Sequence, residues 1–252
     1  MRRSDRLKPA EPKKDISIVL PAHNEALQIE KCVREVDRAV SSLSNSYEII
    51  ISEDGSTDGT DAIVTGLVGT VPNLTLQHSP VRLGKGKAIK NALTTAKGEV
   101  IIFMDVDLAT SLTCLPQIIK AVWEHGGLVI GSRHVEGARV QRRASRTMSS
   151  LAYNLLVRVL FLDRVRDHQC GFKAMRHDVA EAMGAIRSNG FFFDTEMILR
   201  CKKARFPVNE VGVEWSEKRA QSASKVKLFR DGARMGLDLL KYKLNYDETC
   251  PK

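Results

Sequence analysis

Two carboxylates separated by one residue carry the clearest chemical signal in the chain. Asp105 and Asp107 come directly after Val100–Met104, an apolar run that predicts a strand buried on both faces of a sheet. Alternate side chains of an extended chain share a face, so we expect the two carboxylates to point the same way. Such a pair is costly without a cation, and a Mg²⁺ ion that also holds a diphosphate suits it. A solvated acidic turn is the alternative interpretation of so short a pattern.

The composition indicates a globular protein with an anionic partner. The 252 residues, 43% of them hydrophobic, suffice for one large domain or two small ones. The net charge of +9 points to nucleic acid, a membrane surface or a phosphorylated substrate. Aromatic residues make up 6% and do not alternate with basic ones as base-stacking surfaces do, so no nucleic-acid partner is expected.

Cysteine usage and the chain ends favour a cytoplasmic location. The five cysteines are scattered and form no CxxC pair, which is typical of free thiols in a reducing compartment. We expect neither a signal peptide nor a transmembrane helix. Residues 1–14 are basic and contain two prolines, which predicts either a disordered tail or a segment at an anionic membrane.

The elements around the acidic pair alternate between strand and helix patterns. Such alternation with short turns predicts a mostly parallel α/β sheet, in which ligands lie at the carboxyl ends of the strands. The chain has no GxGxxG after its first strand, which argues against a dinucleotide-binding oxidoreductase. Polar clusters follow the predicted strand ends and favour a functional acidic pair: Asn24/Glu25, Glu53/Asp54, Lys85/Lys87, Asp105/Asp107 and Ser132/Arg133. The predicted strands are Asp15–Leu20, Tyr47–Ser52, Asn73–His78, Leu128–Gly131 and the run before Asp105.

Several local signals refine this outline. Pro21 is expected to end the first strand, Asn24 to cap the helix after it, and Ser111 to cap a helix that runs to about His125. Gln169–Met175 predicts a strand whose glycine marks the close approach of a ligand or backbone. Val208–Trp215 predicts the last strand.

Two apolar stretches in the second half allow two interpretations each. Met148–Leu162 is either a core helix or a helix lying in a membrane interface, with Arg158 reaching the headgroups. Leu228–Leu244 is amphipathic and suits an interfacial helix or one packed on the protein surface. We expect a catalytic domain over residues 15–226 and a C-terminal helix and tail over 227–252.

The motifs in their order resemble family-2 glycosyltransferases with the GT-A fold, a mostly parallel twisted sheet with helices on both faces. The carrying motifs are PAHNE, EDGSTDGT, GKGKAIKNAL, DVD and GSR, between Pro21 and Arg133. Downstream, QCGFK, FFFDTEMIL, VEW and SKV resemble the polyprenyl-phosphate sugar synthases, first the dolichyl-phosphate β-glucosyltransferases and next the mannose synthases. The mannose synthases place Leu-Gln after the second aspartate, where this chain has Leu108-Ala109.

This resemblance implies an inverting transfer of a hexose from a nucleotide sugar to a polyprenyl or dolichyl phosphate. Glucose and UDP are the favoured sugar and nucleotide. Because the eukaryotic glucosyl enzymes carry an N-terminal membrane anchor that this chain lacks, the resemblance implies peripheral attachment to the cytosolic membrane face. The alternatives are a mannose synthase using GDP-mannose, a family-2 transferase acting on a hydroxyl of a lipid-linked glycan, and a catalytically dead binding protein on the same fold.

The resemblance also assigns roles on the donor side. Asp105 and Asp107 would hold Mg²⁺ or Mn²⁺ against the diphosphate, and Asp54 would read the nucleobase. Lys87, together with Lys85, stands at a glycine-rich helix start and would meet phosphate or the acidic pair. Base and ribose would be lined by Pro21, Ala22 and Glu25.

On the acceptor side, the resemblance assigns the lipid phosphate to arginines. Arg133 matches one such arginine and Arg146 a second, for which Arg142 and Arg143 compete. Asp194 is a possible base or sugar-hydroxyl contact, with capping of its helix as the alternative. The remaining assignments are Gln169 to the sugar or acceptor, Arg219 and Lys225 to a closing loop, and Trp215 to the core or a sugar platform.

Overall fold

The computed structural model describes residues 14–141, 144–183, 186–217 and 228–244, without the side chains of 144–149 and 228–234. Its strands are β1 Lys14–Ala22, β2 Tyr47–Asp54, β3 Leu74–Ser79, β4 Gly98–Phe103, β5 Leu128–Ser132, β6 Arg139–Gln141, β7 Lys173–Arg176, β8 Val208–Gly212 and β9 Glu214–Ser216. Its helices are α1 Ile29–Ser41, α2 Thr60–Leu67, α3 Lys85–Leu93, α4 Leu115–His125, α5 Ala144–Phe161, α6 His177–Ala182, α7 Phe193–Lys203 and α8 Leu228–Leu244, with a 3₁₀ turn at Leu112–Cys114.

A seven-stranded sheet in the order β3-β2-β1-β4-β7-β5-β8 forms the centre of the fold. All its neighbouring strands run parallel except β7, which is antiparallel to both β4 and β5. The expected mostly parallel sheet is therefore confirmed. β6 and β9 pair separately as a small parallel sheet.

The central strands form because their β-branched runs are buried on both faces. All eight residues of β2 are buried, and Ile101 and Ile102 of β4 have no exposed surface. Helix α1 covers the sheet with Ile29, Val33 and Val36, whose spacing places them on one helix face. The hydrophobic pattern of the first half thus fixes the sheet edge at which the site lies.

Two predictions at the start of the chain were wrong. Pro21 does not end β1, which continues to Ala22; beyond Val19 the strand pairs with β2 alone, and proline is tolerated at such a one-sided position. Asn24 does not cap α1, which begins at Ile29. Its backbone is left-handed with φ 54°, and its side chain instead accepts a hydrogen bond from the Thr57 backbone N–H at 2.8 Å.

Other predicted boundaries shift where the chain turns. Ser111 caps the 3₁₀ turn rather than α4, and the strand predicted over Gln169–Met175 is limited to β7. The last predicted strand divides at Val213 into β8 and β9, which belong to different sheets. The helix predicted over Leu228–Leu244 is confirmed as α8.

Helix α5 has one side buried in the protein and one apolar side exposed, so the core interpretation holds for one side only. Val157 and Asn154 are buried against the protein, in part on a cluster that includes Leu239 of α8. The other side of α5 is apolar and exposed at Leu151, Leu155, Leu156 and Val159, followed by Leu162. Among the helices that the structure describes, none combines the length and apolarity needed to cross a membrane.

Candidate active site

The acidic pair lies in a turn after β4 rather than in an extended strand. The Leu108 backbone is left-handed with φ 48°, and its N–H bonds to the Asp105 carbonyl at 3.2 Å. The Asp107 side chain accepts a hydrogen bond from the Ala109 N–H at 3.0 Å. The two carboxylates therefore do not share the face of a strand as expected, although the turn brings both of them to the same cavity.

That cavity, of about 90 Å³, brings together candidate residues from distant parts of the chain. Asp105 and Asp107 line it together with Arg133, Gln169 and Trp215. These residues come from the end of β4, the end of β5, the segment before β7, and β9. The predicted donor-side carboxylates and the predicted acceptor arginine thus share one cleft.

Asp105 is held between a lysine and a glycine. Lys85 Nζ donates a hydrogen bond to Asp105 Oδ1 at 2.7 Å. A Cβ placed on Gly171 would lie 2.1 Å from Asp105 Oδ2, so a larger residue there would displace this carboxylate. The glycine signal in Gln169–Met175 therefore marks the approach of a side chain, where a ligand or backbone had been expected.

Asp194, in the first turn of α7, lies between the ammonium groups of Lys173 and Lys85. Lys173 is fully buried and its Nζ contacts Asp194 Oδ1 at 2.5 Å, while Lys85 Nζ lies 4.0 Å from Asp194 Oδ2. Burial would lower the pKa of Lys85, but Asp105 and Asp194 outweigh this and raise it. The helix begins after Phe192 without a side-chain cap, so the capping role considered for Asp194 was wrong.

Arg133 forms a buried, two-point ion pair with Asp167. Its Nε and Nη2 each lie 2.7 Å from a carboxylate oxygen, and its backbone N–H bonds to Asp167 Oδ2 at 3.0 Å. Burial alone would raise the pKa of Asp167, but the hydrogen bonds and charge of Arg133 lower it to about 2. Against the cost of burial, Asp167 in turn raises the pKa of Arg133.

The residues predicted to bind base and ribose lie outside this cavity. Asp54 is buried, and its two carboxylate oxygens accept hydrogen bonds from the Leu83 N–H at 2.6 Å and the Gly84 N–H at 2.9 Å. It lines a separate small cavity after β2. Pro21 and Ala22 form the end of β1, and the buried Glu25 accepts a hydrogen bond from Gln28.

The structure describes the remaining candidate residues to different extents. Lys85 contacts Asp105 of the acidic pair, whereas Lys87 is half-buried further along α3. Arg146 lies in α5, but its side chain is outside the described part. Arg219 and Lys225 lie outside the described residues altogether.

The donor set suits a metal that is completed by its substrate. Across the described ranges, no group of three or more His, Cys, Asp or Glu side chains is arranged to hold an ion. Asp105 and Asp107 supply hard oxygen ligands, and Mg²⁺ commonly uses one or two carboxylates plus substrate phosphates. The pair therefore fits a divalent cation that arrives with a diphosphate.

Sequence reasoning missed two charged residues of the site. Lys173 stands in QCGFKAM, and its place in a predicted apolar strand was a signal that it needed a buried partner. Asp167 lies just before that motif in a charged segment, and no spacing pattern connects it with Arg133. The pairing of these residues is visible only in the folded chain.

Comparison with known proteins identifies relatives over most of the chain. The profile of glycosyl transferase family 2 matches residues 17–184. Glycosyltransferase AglD of Haloferax volcanii is 36% identical over 231 residues, which cover 90% of this chain and 36% of AglD. The dolichyl-phosphate beta-glucosyltransferase of Homo sapiens is 29% identical over 257 residues, covering 93% of this chain and 76% of that protein.

Solved structures confirm the fold. Glucosyl-3-phosphoglycerate synthase from Mycobacterium tuberculosis, solved with Mn²⁺ and UDP-glucose, superimposes with a TM-score of 0.65. The match covers 91% of this chain and 79% of that one at 20% identity. The predicted GT-A architecture is thereby confirmed, and with two thirds of its length matched by the profile, the chain belongs to glycosyl transferase family 2.

Proposed function

We propose that the chain moves a hexose, with glucose favoured, from a UDP-sugar to the phosphate of a polyprenyl or dolichyl phosphate, with inversion at the sugar carbon. The observation that carries the proposal is the shared cavity of Asp105, Asp107 and Arg133. A cation held by the acidic pair against a departing diphosphate would lie beside a guanidinium suited to an incoming phosphate. The name of the human relative supports glucose and dolichyl phosphate, the name of the Haloferax relative supports glycosyl transfer, and the UDP-glucose complex of the structural neighbour supports a UDP-sugar.

On the donor side, the protein must stabilise a departing nucleoside diphosphate. Asp105 and Asp107 would hold Mg²⁺ or Mn²⁺, and the cation would supply Lewis-acid stabilisation of the departing diphosphate. Lys85 fixes the Asp105 carboxylate through its 2.7 Å hydrogen bond. Asp54 orders the turn before α3 through the Leu83 and Gly84 amides, close to the predicted base and ribose residues.

On the acceptor side, an oxygen of the phosphate monoester would attack the sugar carbon while the bond between that carbon and the diphosphate breaks. A phosphate monoester is already largely ionised near neutral pH, so no strong base has to remove a proton. Arg133 would draw this anion into line behind the sugar, with Gln169 beside it and Arg146 as a second predicted cation. Asp194 is engaged by Lys173 and lies 4.0 Å from Lys85, an arrangement that favours a positioning role over a role as base.

We further propose that the protein docks peripherally on the cytosolic face of a membrane through α5 and α8. Leu155, Val159 and Leu162 are 59%, 64% and 90% exposed and form an apolar surface beside the buried cluster that joins the two helices. Lys241 and Lys243 of α8 are exposed near the end of α5, where Lys243 Nζ lies 5.1 Å from the Phe161 ring centroid. Apolar side chains flanked by lysines suit the boundary between acyl chains and anionic headgroups.

A donor and acceptor screen tests the proposed activity. The purified chain is incubated with dolichyl phosphate or with a glycolipid, with Mg²⁺ or Mn²⁺, and with radiolabelled UDP-glucose or GDP-mannose. Label is then counted in the organic phase. We expect transfer from UDP-glucose that a chelator abolishes. Transfer from GDP-mannose alone would establish the mannose alternative. Transfer only to a hydroxyl of a glycolipid, or none from any donor by folded protein, would rule the proposal out.

A further inference from the structure

We propose that Asp167 is a positioning residue that sets the orientation of Arg133 toward the acceptor phosphate. This inference rests on the proposed function, because it concerns how the arginine meets a lipid-phosphate acceptor. Asp167 itself does not line the cavity formed by Asp105, Asp107 and Arg133, and so would act through the arginine.

Asp167 binds one edge of the Arg133 guanidinium, and the other edge keeps its N–H donors. Nε and Nη2 of Arg133 donate to the two oxygens of Asp167, each at 2.7 Å. A guanidinium carries five N–H groups in a fixed plane, so its remaining donors are available to a second anion. Because Arg133 also lines the cavity, an acceptor phosphate that binds there meets an arginine whose plane is already set.

The face of the same guanidinium is also fixed. Its central carbon lies 5.7 Å from the centroid of the Trp215 ring, within the range of a cation–π contact. The Arg133 side chain is 7% exposed and Asp167 is fully buried, so little solvent competes for the pair. Asp167 on one edge and Trp215 on one face together define how the side chain enters the cavity.

Asp167 is rigidly held by its own surroundings. Glu210 of β8 accepts hydrogen bonds from the Arg166 N–H at 2.8 Å and the Asp167 N–H at 3.0 Å. The next residue, His168, donates its backbone N–H to Asn154 of α5 at 3.1 Å. The carboxylate is therefore anchored to the sheet and to a helix before any substrate binds.

Such preorganisation has a specific kinetic consequence. An arginine that already has the productive orientation loses little conformational freedom when the phosphate arrives, so its contribution to acceptor binding is larger. Without the carboxylate, Arg133 would still carry its charge but would sample other rotamers. The defect should therefore concern the acceptor and spare the nucleotide sugar.

The test compares Asp167→Asn with Asp163→Asn in the full chain. Asp163 is a matched control because it is also buried in the segment before β7, but it pairs with Lys202 and His168. We expect Asp167→Asn to raise the KM for dolichyl phosphate on the order of tenfold, with the KM for UDP-glucose unchanged. Asp163→Asn should lower the Tm without an acceptor-specific change.

The outcomes separate this inference from the proposed function. If wild-type protein transfers no sugar to the lipid phosphate, the function fails and the inference falls with it. If wild-type protein is active but Asp167→Asn leaves the acceptor KM unchanged, or changes both KM values equally, the positioning role alone is overturned.

A second variant covers the case in which Asp167→Asn does not fold. Arg133→Lys keeps the positive charge beside Asp167 but removes the planar fork. It should reproduce the acceptor-specific rise in KM, and Asp167→Glu, which keeps the charge, should recover part of the wild-type value. An Arg133→Lys enzyme with wild-type acceptor KM would overturn the inference by itself.

Discussion

The two halves of the chain are stabilised in different ways. In residues 14–132, β1, β2 and β4 contain apolar runs buried in the sheet, and the carboxylates of Asp54, Asp105 and Asp107 stand at or just after the carboxyl ends of β2 and β4. In residues 133–244, ion pairs are themselves buried, as in Arg133–Asp167, Lys173–Asp194 and Arg200–Glu196. The second half also leaves the apolar side chains of α5 exposed.

This difference affects how precisely side chains are oriented as well as how stable the fold is. A buried ion pair often adds little net stability, because desolvation offsets much of the attraction, but removing one partner is costly. The first half therefore provides the sheet edge on which the donor-side carboxylates stand. The second half provides orientations, each dependent on a particular partner, and it is there that the acceptor would be selected.

The largest loss of turnover is expected from a change at Asp107, on the proposed donor side of the site. Asp107→Asn keeps the shape of the side chain but removes the charge of a proposed metal ligand, so we expect turnover to fall on the order of 10²–10³-fold. The urea midpoint should change little, because Asp107 lies in a turn that lines a cavity. The measurements are initial rates at saturating Mn²⁺ and equilibrium unfolding. Near-normal turnover would remove the acidic pair from the proposed mechanism.

A smaller loss of activity is expected from a change at Gly171, where the second half of the chain contacts Asp105 of the first half. In Gly171→Ala the new Cβ would lie 2.1 Å from Asp105 Oδ2 and displace this carboxylate. We expect activity to fall on the order of 10–100-fold. Gly66→Ala is the control, since no atom lies within 4 Å of a Cβ there. Equal activity of both variants would show that the position of Asp105 does not matter.

The exposed face of α5 predicts a loss of membrane binding rather than of chemistry. The double change Leu155→Ser and Val159→Ser removes apolar surface that is 59% and 64% exposed. We expect binding to anionic phospholipid vesicles to weaken on the order of tenfold or more, at unchanged Tm. Leu43→Ser, at another exposed leucine, is the control in the same sedimentation assay. Unchanged vesicle binding would indicate that α5 does not form the docking surface.

The smallest expected effect is on acid stability. The pKa of Asp167 is about 2 in the folded chain and about 3.9 when unfolded. Because its folded pKa is lowered, its contribution is complete above about pH 4 and is lost as the pH falls toward 2. Asp167→Asn should therefore lose less stability than wild type between these pH values. Parallel urea unfolding at each pH measures this, and an unchanged slope would contradict the ion-pair account.

The sequence predicted the first half well because its pattern is repetitive. β-Branched runs such as Tyr47–Ser52 gave strands, and the spacing of Ile29, Val33 and Val36 gave α1. Errors arose where a single residue was taken as a boundary, as at Pro21 and Asn24. In both cases contacts with the neighbouring strand or turn, which local sequence does not show, decided the outcome.

The site was predictable in its members more than in its contacts. Asp105, Asp107 and Arg133 do share a cavity, as the order of the motifs suggested. Which residue forms an ion pair with Arg133 was not predictable, because Asp167 is 34 residues away in the sequence. Buried charge pairs have no sequence period, so no pattern could have assigned Lys173 to Asp194.

The position of β7 between β4 and β5 has a consequence for biosynthesis. β4 and β5 both leave the ribosome before β7, which is complete only at Arg176, about 44 residues after β5 ends at Ser132. At about 5–20 residues per second, nascent chains spend seconds with unpaired strand edges, a state prone to association with other chains. Fragments that stop before Lys173 should thus precipitate, and splitting the gene at the midpoint would not yield two soluble pieces.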